Sequence, residues 1–186
     1  TLVVASVACK PRGGQEVVVY TALDREFSEP VLNGFSKATG IAVLPKYDDE
    51  STKTVGLTNM IVQEAGRPRC DVFWNNEILN TLRLEEKGLL DAYHPPTAAA
   101  YPEMYRSPNG TWHGFAARAR VLIVNTGLVP KSERPKSIHD LAAEKWKGKT
   151  AIARPIAGTT PTHAAVLFAT LGEEPAKQRA IRDVAF

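Results

Sequence analysis

The sequence contains no apolar run long enough to form a transmembrane helix, so none of its stretches is expected to span a bilayer. It also lacks blocks of like charge, because lysine and arginine are spread among aspartate and glutamate and the formal net charge is only +3. This balance does not favour nucleic acid or an anionic membrane as the main partner. The two cysteines are too few for a disulfide framework or a cysteine metal cluster, and we expect Cys70 to be a buried, unreactive thiol.

The sequence signatures of common enzymes are missing as well. There is no nucleophile elbow, no H-E-x-x-H motif and no dinucleotide-binding glycine fingerprint. An enzyme would have to use Asp24 and Glu77 as a carboxylate pair, with His113 or His163 as a general base. We therefore expect a non-enzymatic protein and keep a hydrolase that uses Asp24 and Glu77 as a less favoured alternative.

The first residues resemble the tail of a secretory signal. Leu2 to Ala8 are small and apolar, end at Cys9 and are followed by a polar stretch. The small residue before Cys9 resembles the cleavage box of bacterial lipoproteins, although Ser6 stands where those boxes usually carry leucine. We expect residues 1–15 to be a signal-like or lipoprotein-like tail of an exported, periplasmic protein. Lipidation of Cys9 stands against two alternatives, an ordinary export signal and a disordered tail.

Three apolar runs alternate with helical patterns, and the 44% hydrophobic content can supply a real core. Glu16 to Tyr20 is almost uniformly β-branched, which predicts a first strand buried on both faces. Ile41 to Tyr47 and Asp71 to Trp74 predict two further strands, the last of them buried and central to the fold. This order predicts an α/β fold with a parallel sheet and right-handed crossovers.

Two of the helices carry specific expectations. In the first, Pro30 interrupts the pattern, so the helix either begins near Ser28 or begins at Asp24 and is kinked. In the third, the apolar residues Ile78, Leu79 and Leu82 are expected to face the sheet. The charged residues that follow, Arg83 and Glu85 to Lys87, are expected to face solvent.

Polar residues follow the first and third strands directly. Such strand-to-helix turns lie at the carboxyl edge of a parallel sheet, where helix N-termini offer free N–H groups to a ligand. The alternative is that Asn75 or Asn76 only caps the following helix. The candidate ligand-binding residues of these turns are Thr21, Ala22, Asp24, Asn75, Asn76 and Glu77.

The second half of the sequence predicts a long strand over Trp112 to Thr126 that carries Arg118 and Arg120 on one face. These arginines form either a guanidinium fork for a carboxylate or phosphate, or a solvated strand face. Gly158, Thr159 and Thr160 open a helix and form either a generic anion cradle or a cap. One strand, Thr150 to Ala153, and this one helix cannot complete a second lobe, so we expect that lobe to be incomplete.

Several motifs together resemble a known family. V-V-V-Y-T-A-L-D, R-C-D-V-F-W-N-N-E, G-T-W-H-G-F-A-A-R-A-R-V-L-I-V-N-T and K-W-K-G-K are similar to the periplasmic solute-binding proteins of ferric-iron-type ABC importers, within extracellular solute-binding family 1. The resemblance runs from about Glu16 to about Glu174. It implies the type 2 periplasmic-binding fold, with lobe one over 16–111, a hinge or crossing strand over 112–126 and a partial lobe two over 127–186. The ligand would lie in the cleft between the lobes, which close by hinge bending.

The resemblance also implies ligands, with departures. The family's iron-binding histidine falls at or near Asp24, and its glutamate falls at Asn76, one place before Glu77. Asp24 and Glu77 could still supply hard oxygen ligands for a ferric ion. Arg118 matches the arginine that begins the family's R-x-R. The paired tyrosines that usually complete the iron site fall outside the matched part.

On this resemblance the chain is the substrate-binding component of an ABC importer. It would capture ferric iron with a synergistic anion, or a small anionic solute, and deliver it to a permease in the inner membrane. We expect a monomer with no required cofactor and no nucleic-acid partner. The alternatives are an organic solute such as a phosphonate, thiamine or a polyamine, and an inactive fragment that binds nothing tightly.

Overall fold

The computed structural model describes residues 14–48, 55–153, 155–156 and 159–173. Its longer elements are β1 (Glu16–Thr21), α1 (Arg25–Thr39), β2 (Ala42–Tyr47), α2 (Val55–Gln63), β3 (Val72–Trp74), α3 (Ile78–Glu86) and α4 (Thr159–Leu171). Short 3-10 helices occupy Pro96–Ala100, Glu103–Tyr105, Lys131–Glu133, Ile138–Ala142 and Glu144–Trp146. Cys9 and Gly158, which the sequence singled out, lie outside the described residues. Within the described ranges, no helix has both the length and the apolar character needed to cross a membrane.

The strands form a parallel sheet in the order β2-β1-β3. Val19 of β1 pairs with Pro45 of β2 on one side and with Val72 of β3 on the other. β1 is therefore central, and its residues Val19 and Tyr20 are only 5% and 2% exposed. The parallel α/β prediction is confirmed. The predicted burial of the third strand is wrong, because β3 lies at one edge of this sheet and Val72 is 49% exposed.

The other edge of the sheet is formed by β2, whose backbone groups alternate in direction. The N–H groups of Ala42 and Asp48 donate to the carbonyls of Gln15 and Thr21, so the even-numbered positions of β2 face β1. The odd-numbered positions face outward. There the N–H of Val43 donates to Oγ of Ser36 at 3.2 Å, and Pro45 has no N–H to offer. An outward-facing edge position is one that a strand proline tolerates.

The first helix settles the alternatives left by Pro30. α1 starts directly after its N-cap residue Asp24 and contains Pro30. Ser28 is fully buried within the helix, where its hydroxyl donates to the carbonyls of Leu23 and Asp24 at 3.2 and 3.1 Å. Gly40 ends the helix with φ of 75°, a conformation that glycine adopts without strain.

The third helix buries a different face from the one predicted. Leu84 is 0% exposed, whereas Ile78, Leu79 and Leu82 are 39%, 44% and 40% exposed. α3 packs against α2. Glu85, which was expected to face solvent, is half-buried.

Neither strand predicted for the second half forms a ladder among the described residues. Trp112 to Thr126 is irregular except for a bridge between His113 and Arg106, and in Thr150 to Ala153 only Ala151 has bridge geometry. Val121 is 73% exposed and Ile123 is 94% exposed. A strand is stabilised by its neighbours, and the described part of the chain places none beside these apolar residues.

Candidate functional site

The turns after β1 and β3 meet at the carboxyl edge of the sheet. The N–H of Ala22 donates to the carbonyl of Trp74 at 3.0 Å, and Nδ2 of Asn76 donates back to the carbonyl of Ala22 at 3.0 Å. Thr21 and Ala22 are buried, at 0% and 3% exposure. The structure therefore brings the two predicted turns together. We call the place where residues 21–24 and 75–77 meet the corner of the sheet, and Thr21 and Ala22 are its buried residues.

Glu77 caps α3, whereas sequence reasoning offered Asn75 or Asn76 as the cap. Its Oε2 accepts from the N–H of Leu79 at 2.8 Å and its Oε1 from the N–H of Asn80 at 3.0 Å. A carboxylate at this position is stabilised by the positive end of the helix dipole. Asn75 instead braces the turn, since its Oδ1 accepts from the N–H of Asn76 at 2.8 Å.

The N-terminus of α4 approaches the same corner from a distant part of the sequence. Oγ1 of Thr162 donates to Oε2 of Glu77 at 3.4 Å. Nη2 of Arg120 donates to Oγ1 of Thr159 at 2.9 Å and to Oγ1 of Thr160 at 3.2 Å. The first turn of α4 is thus linked both to α3 and to the stretch that contains the two arginines.

The two arginines are not equivalent. Arg120 contacts the threonines, although the sequence pointed to Arg118 as the ligand residue. Arg118 is exposed, and among the described residues it makes no hydrogen bond. Sequence reasoning named Arg120 only as one half of a possible guanidinium fork, and neither Arg120 nor Thr162 was among the candidate ligand residues. The signals that could have selected them were the second arginine of R-A-R and the last threonine of T-T-P-T.

His163 lies half-buried in the first turn of α4. Burial, with a further contribution from the charge of Arg120, lowers the pKa of its imidazole below the usual value. The ring is therefore neutral at neutral pH. His113 is directed elsewhere, since its Nε2 lies 2.7 Å from the carbonyl oxygen of Tyr93.

Asp24 stands at the N-terminus of α1, where its carbonyl accepts from the N–H groups of Phe27 and Ser28, each at 3.0 Å. Among the described residues, no group of three or more His, Cys, Asp and Glu side chains is arranged to hold a metal. Asp24 and Glu77 would thus need ligands from elsewhere to complete a ferric site.

Cys70 is a free thiol that precedes β3. Burial raises the pKa of this half-buried thiol to about 11, so almost none of it is thiolate at neutral pH. This agrees with the unreactive thiol expected from the sequence.

The first turn of α4 can attract an anion. Its hydroxyl groups, its N-terminal N–H groups and the guanidinium of Arg120 all favour negative charge. Glu77 at the start of α3 offers the opposite charge close by. The arrangement suits a ligand that carries both a cation and an oxyanion. It also suits an oxyanion that carries a further polar group.

Comparisons with known proteins are consistent with this geometry. The sequence model of the bacterial extracellular solute-binding protein family matches residues 80–183, more than half of the chain. The chain belongs to the bacterial extracellular solute-binding protein family.

Members of this family with similar sequences are named for iron. A Fe(3+)-binding periplasmic protein of Serratia marcescens is 31% identical over 137 residues, which are 74% of this chain and 39% of the relative. Iron uptake protein A1 of Synechocystis is 31% identical over 149 residues, 80% of this chain and 40% of the relative. This chain therefore spans about two fifths of the length of these curated relatives.

Solved structures give the same picture of the fold. Iron-bound HitA from Pseudomonas aeruginosa superposes with a TM-score of 0.78 at 27% identity, over 88% of this chain and 52% of HitA. The Trichodesmium protein IdiA (FutA), solved with iron and citrate ligands, gives a TM-score of 0.72 at 26% identity, over 92% of this chain and 54% of that one. The prediction of a periplasmic-binding-protein fold is confirmed.

Proposed function

We propose that this chain is part of the substrate-binding component of an ABC importer that captures ferric iron, together with an anion, in a cleft between two lobes. The observation that carries the proposal is the meeting of Arg120, Thr159 and Thr160 with Glu77 and Thr162 at one corner of the sheet. The relatives named as ferric-iron-binding periplasmic proteins support iron as the cargo.

The two charges of the corner have separate roles in this proposal. Glu77 and Asp24 supply carboxylate oxygens on the lobe-one side, which are ligands that suit a ferric ion. The first turn of α4 binds the accompanying anion, with Arg120 and the hydroxyls of Thr159 and Thr160 as hydrogen-bond donors. We call these three residues the anion seat. Asn75 and Asn76 hold the Glu77 turn in place through their hydrogen bonds. Gly158 and Arg118, the other candidates named from the sequence for this anion site, stay part of the proposal as residues to be tested by substitution.

An organic solute such as a phosphonate, thiamine or a polyamine is the second candidate. One observation favours an oxyanion or organophosphate over bare iron, because both oxygens of the Glu77 carboxylate are already bonded to the N–H groups of Leu79 and Asn80. A metal would have to share these oxygens with the helix cap. The α4 turn alone, in contrast, offers donors for an anion.

The remaining parts of the proposal follow from the same assignment. The protein acts in the periplasm as a monomer, catalyses no reaction, needs no resident cofactor and passes its cargo to a permease in the inner membrane. Lipidation of Cys9 would hold it at that membrane. A mass measurement of the protein isolated from its native membrane fraction tests the last point, since a lipidated Cys9 adds the mass of its acyl chains.

The test of the function is calorimetric titration of the full-length protein with ferric citrate, with a phosphonate, with thiamine and with a polyamine. We expect binding of the ferric complex, and we expect Arg120→Ala to weaken it at least tenfold because two hydrogen bonds at the anion seat are lost. Arg83→Ala, an exposed substitution on α3, is the matched control. Binding of a phosphonate alone would replace iron with the second candidate, and binding of none of the four would remove the proposal.

A further inference from the structure

The carboxylate of Glu85 collects three hydrogen bonds from one turn of the chain. Its Oε1 accepts from Oγ of Ser107 at 2.5 Å and from Oγ1 of Thr111, and its Oε2 accepts from Nε1 of Trp112 at 3.1 Å. Ser107 is only 4% exposed. These hydrogen bonds hold the pKa of the Glu85 carboxyl below its usual value, so it is charged at neutral pH and accepts strongly.

The turn over 107–112 is firmly closed on itself. The N–H of Ser107 donates to the carbonyl of Trp112 and the N–H of Gly110 donates to the carbonyl of Ser107, each at 3.0 Å. Gly110 has φ of 73°, and a side chain there would collide with the ring of His94. Because the conformation of the turn is fixed in this way, the position of α3 determines the position of the residues that follow the turn.

The contacts that attach this part of the chain to neighbouring residues continue as far as Phe115. The N–H of Gly114 donates to the carbonyl of Tyr105 at 2.6 Å, and the ring of Phe115 lies 5.9 Å from the ring of Trp74 at the end of β3. Beyond Phe115, residues 116–124 make no backbone hydrogen bond within the described chain. The next hydrogen bond of this stretch among the described residues is that of Arg120 with Thr159 and Thr160.

We propose that Glu85 is a positioning residue that fixes the base of the crossing segment to α3, so that bending between the lobes begins after Phe115. The inference rests on the proposed function, because it takes residues 112–126 as the connection between the lobes. Glu77 and Glu85 lie on the same helix, eight residues and roughly 12 Å apart along its axis. α3 therefore carries the candidate site at one end and the attachment of the crossing segment at the other.

Amide hydrogen exchange of the ligand-free, full-length protein tests the attachment. Glu85→Gln removes the charge and an acceptor oxygen, so the amides of Gly110 and Gly114 should exchange at least tenfold faster while those of β1 do not change. Glu86→Gln, the adjacent exposed residue on α3, is the matched control and should match the wild type. Unchanged exchange in the turn, or equal acceleration in β1, would overturn the proposal. If Glu85→Gln does not fold, Trp112→Phe removes a single donor, and no acceleration at Gly110 and Gly114 would be equally damaging.

A distance measurement tests positioning as distinct from local stability. Spin labels at Lys37 and Ser132, two exposed residues on either side of the crossing segment, report the spread of interlobe distances without ligand. We expect a clearly broader distribution for Glu85→Gln than for the wild type or Glu86→Gln. Faster amide exchange in the turn with an unchanged distance distribution would mean that Glu85 stabilises only the turn itself. That result would overturn its role in positioning the lobes. Neither measurement uses a ligand, so a failure of the iron proposal would leave both outcomes readable.

Discussion

Two stretches of similar composition adopt different structures in this molecule. V-V-V-Y over Val17 to Tyr20 forms the middle strand of the sheet, whereas V-L-I-V over Val121 to Val124 is irregular and largely exposed. The first stretch lies between β2 and β3, and the second has no paired neighbour among the described residues. The comparison teaches that strand formation here depends on partners on each side, since the two stretches have a similar intrinsic preference for strands.

The largest expected effect comes from placing the same charge in each stretch. In this chain Val19→Asp should lower the free energy of unfolding by at least about 3 kcal/mol, because Val19 is 5% exposed and the charge would be buried without a partner. Ile123→Asp should change it by less than about 0.5 kcal/mol, because Ile123 is 94% exposed. Urea unfolding followed by circular dichroism measures both. A comparable loss for Ile123→Asp would show that V-L-I-V is buried in solution.

A second pair of variants applies the comparison to α3. Leu84→Ala should cost about 2 to 5 kcal/mol, because Leu84 is fully buried and the substitution leaves a cavity. Leu82→Ala, at 40% exposure, should cost less than about 1 kcal/mol. The same unfolding measurement serves here. If Leu82→Ala proved the more costly, the apolar face predicted from the sequence would be the buried one after all.

A smaller effect is expected at the corner that orders the end of β1. Asn76→Ala removes the hydrogen bond from Nδ2 to the carbonyl of Ala22 and should cost about 1 kcal/mol. Asn33→Ala, at an exposed position of α1, is the control and should stay within about 0.5 kcal/mol of the wild type. Equal stabilities for the two variants would show that β1 needs only its strand partners.

The smallest effect is an alkaline dependence of the central strand. Burial, with the hydrogen bond to Glu64, raises the pKa of the Tyr20 hydroxyl to about 12, above the value of about 10 expected in the unfolded chain. This stabilising contribution is fully present below pH of about 10 and is lost as the pH rises towards about 12. Melting temperatures between pH 8 and 11 should therefore fall less steeply in Tyr20→Phe. Tyr105→Phe, at a 47% exposed position, should follow the wild type, and identical slopes for all three proteins would contradict the assignment.

Local patterns predicted the part of the fold that depends on neighbours in sequence. The β-branched run of β1 and the two polar turns at the sheet edge appear where they were expected. The 3-10 helix after Ser137 has an equally local origin, because its capping box pairs Ser137 with Asp140. Each of these features is decided within a few residues, which is the range that periodicity and capping rules cover.

The parts that were missed depend on contacts far apart in the sequence. From the sequence, Glu85 is expected to be one more charged residue on a solvent-exposed helix face. Its hydrogen-bond donors lie 22 to 27 residues later in the chain, so no local pattern points to them. Arg120 was not distinguished from Arg118, because the threonines it contacts are 39 and 40 residues away. No local pattern carries such information, and hydrogen bonds of this kind depend on the tertiary fold.

The outer side of β2 has a consequence for how the molecule behaves when crowded. The N–H of Val43 is taken by Ser36 and Pro45 has none, so along that side only the N–H of Tyr47 faces outward from the strand. A strand from another chain needs a row of such donors to add itself to a sheet and begin a fibril. Ser36 and Pro45 together therefore give the sheet a built-in barrier to aggregation through this edge.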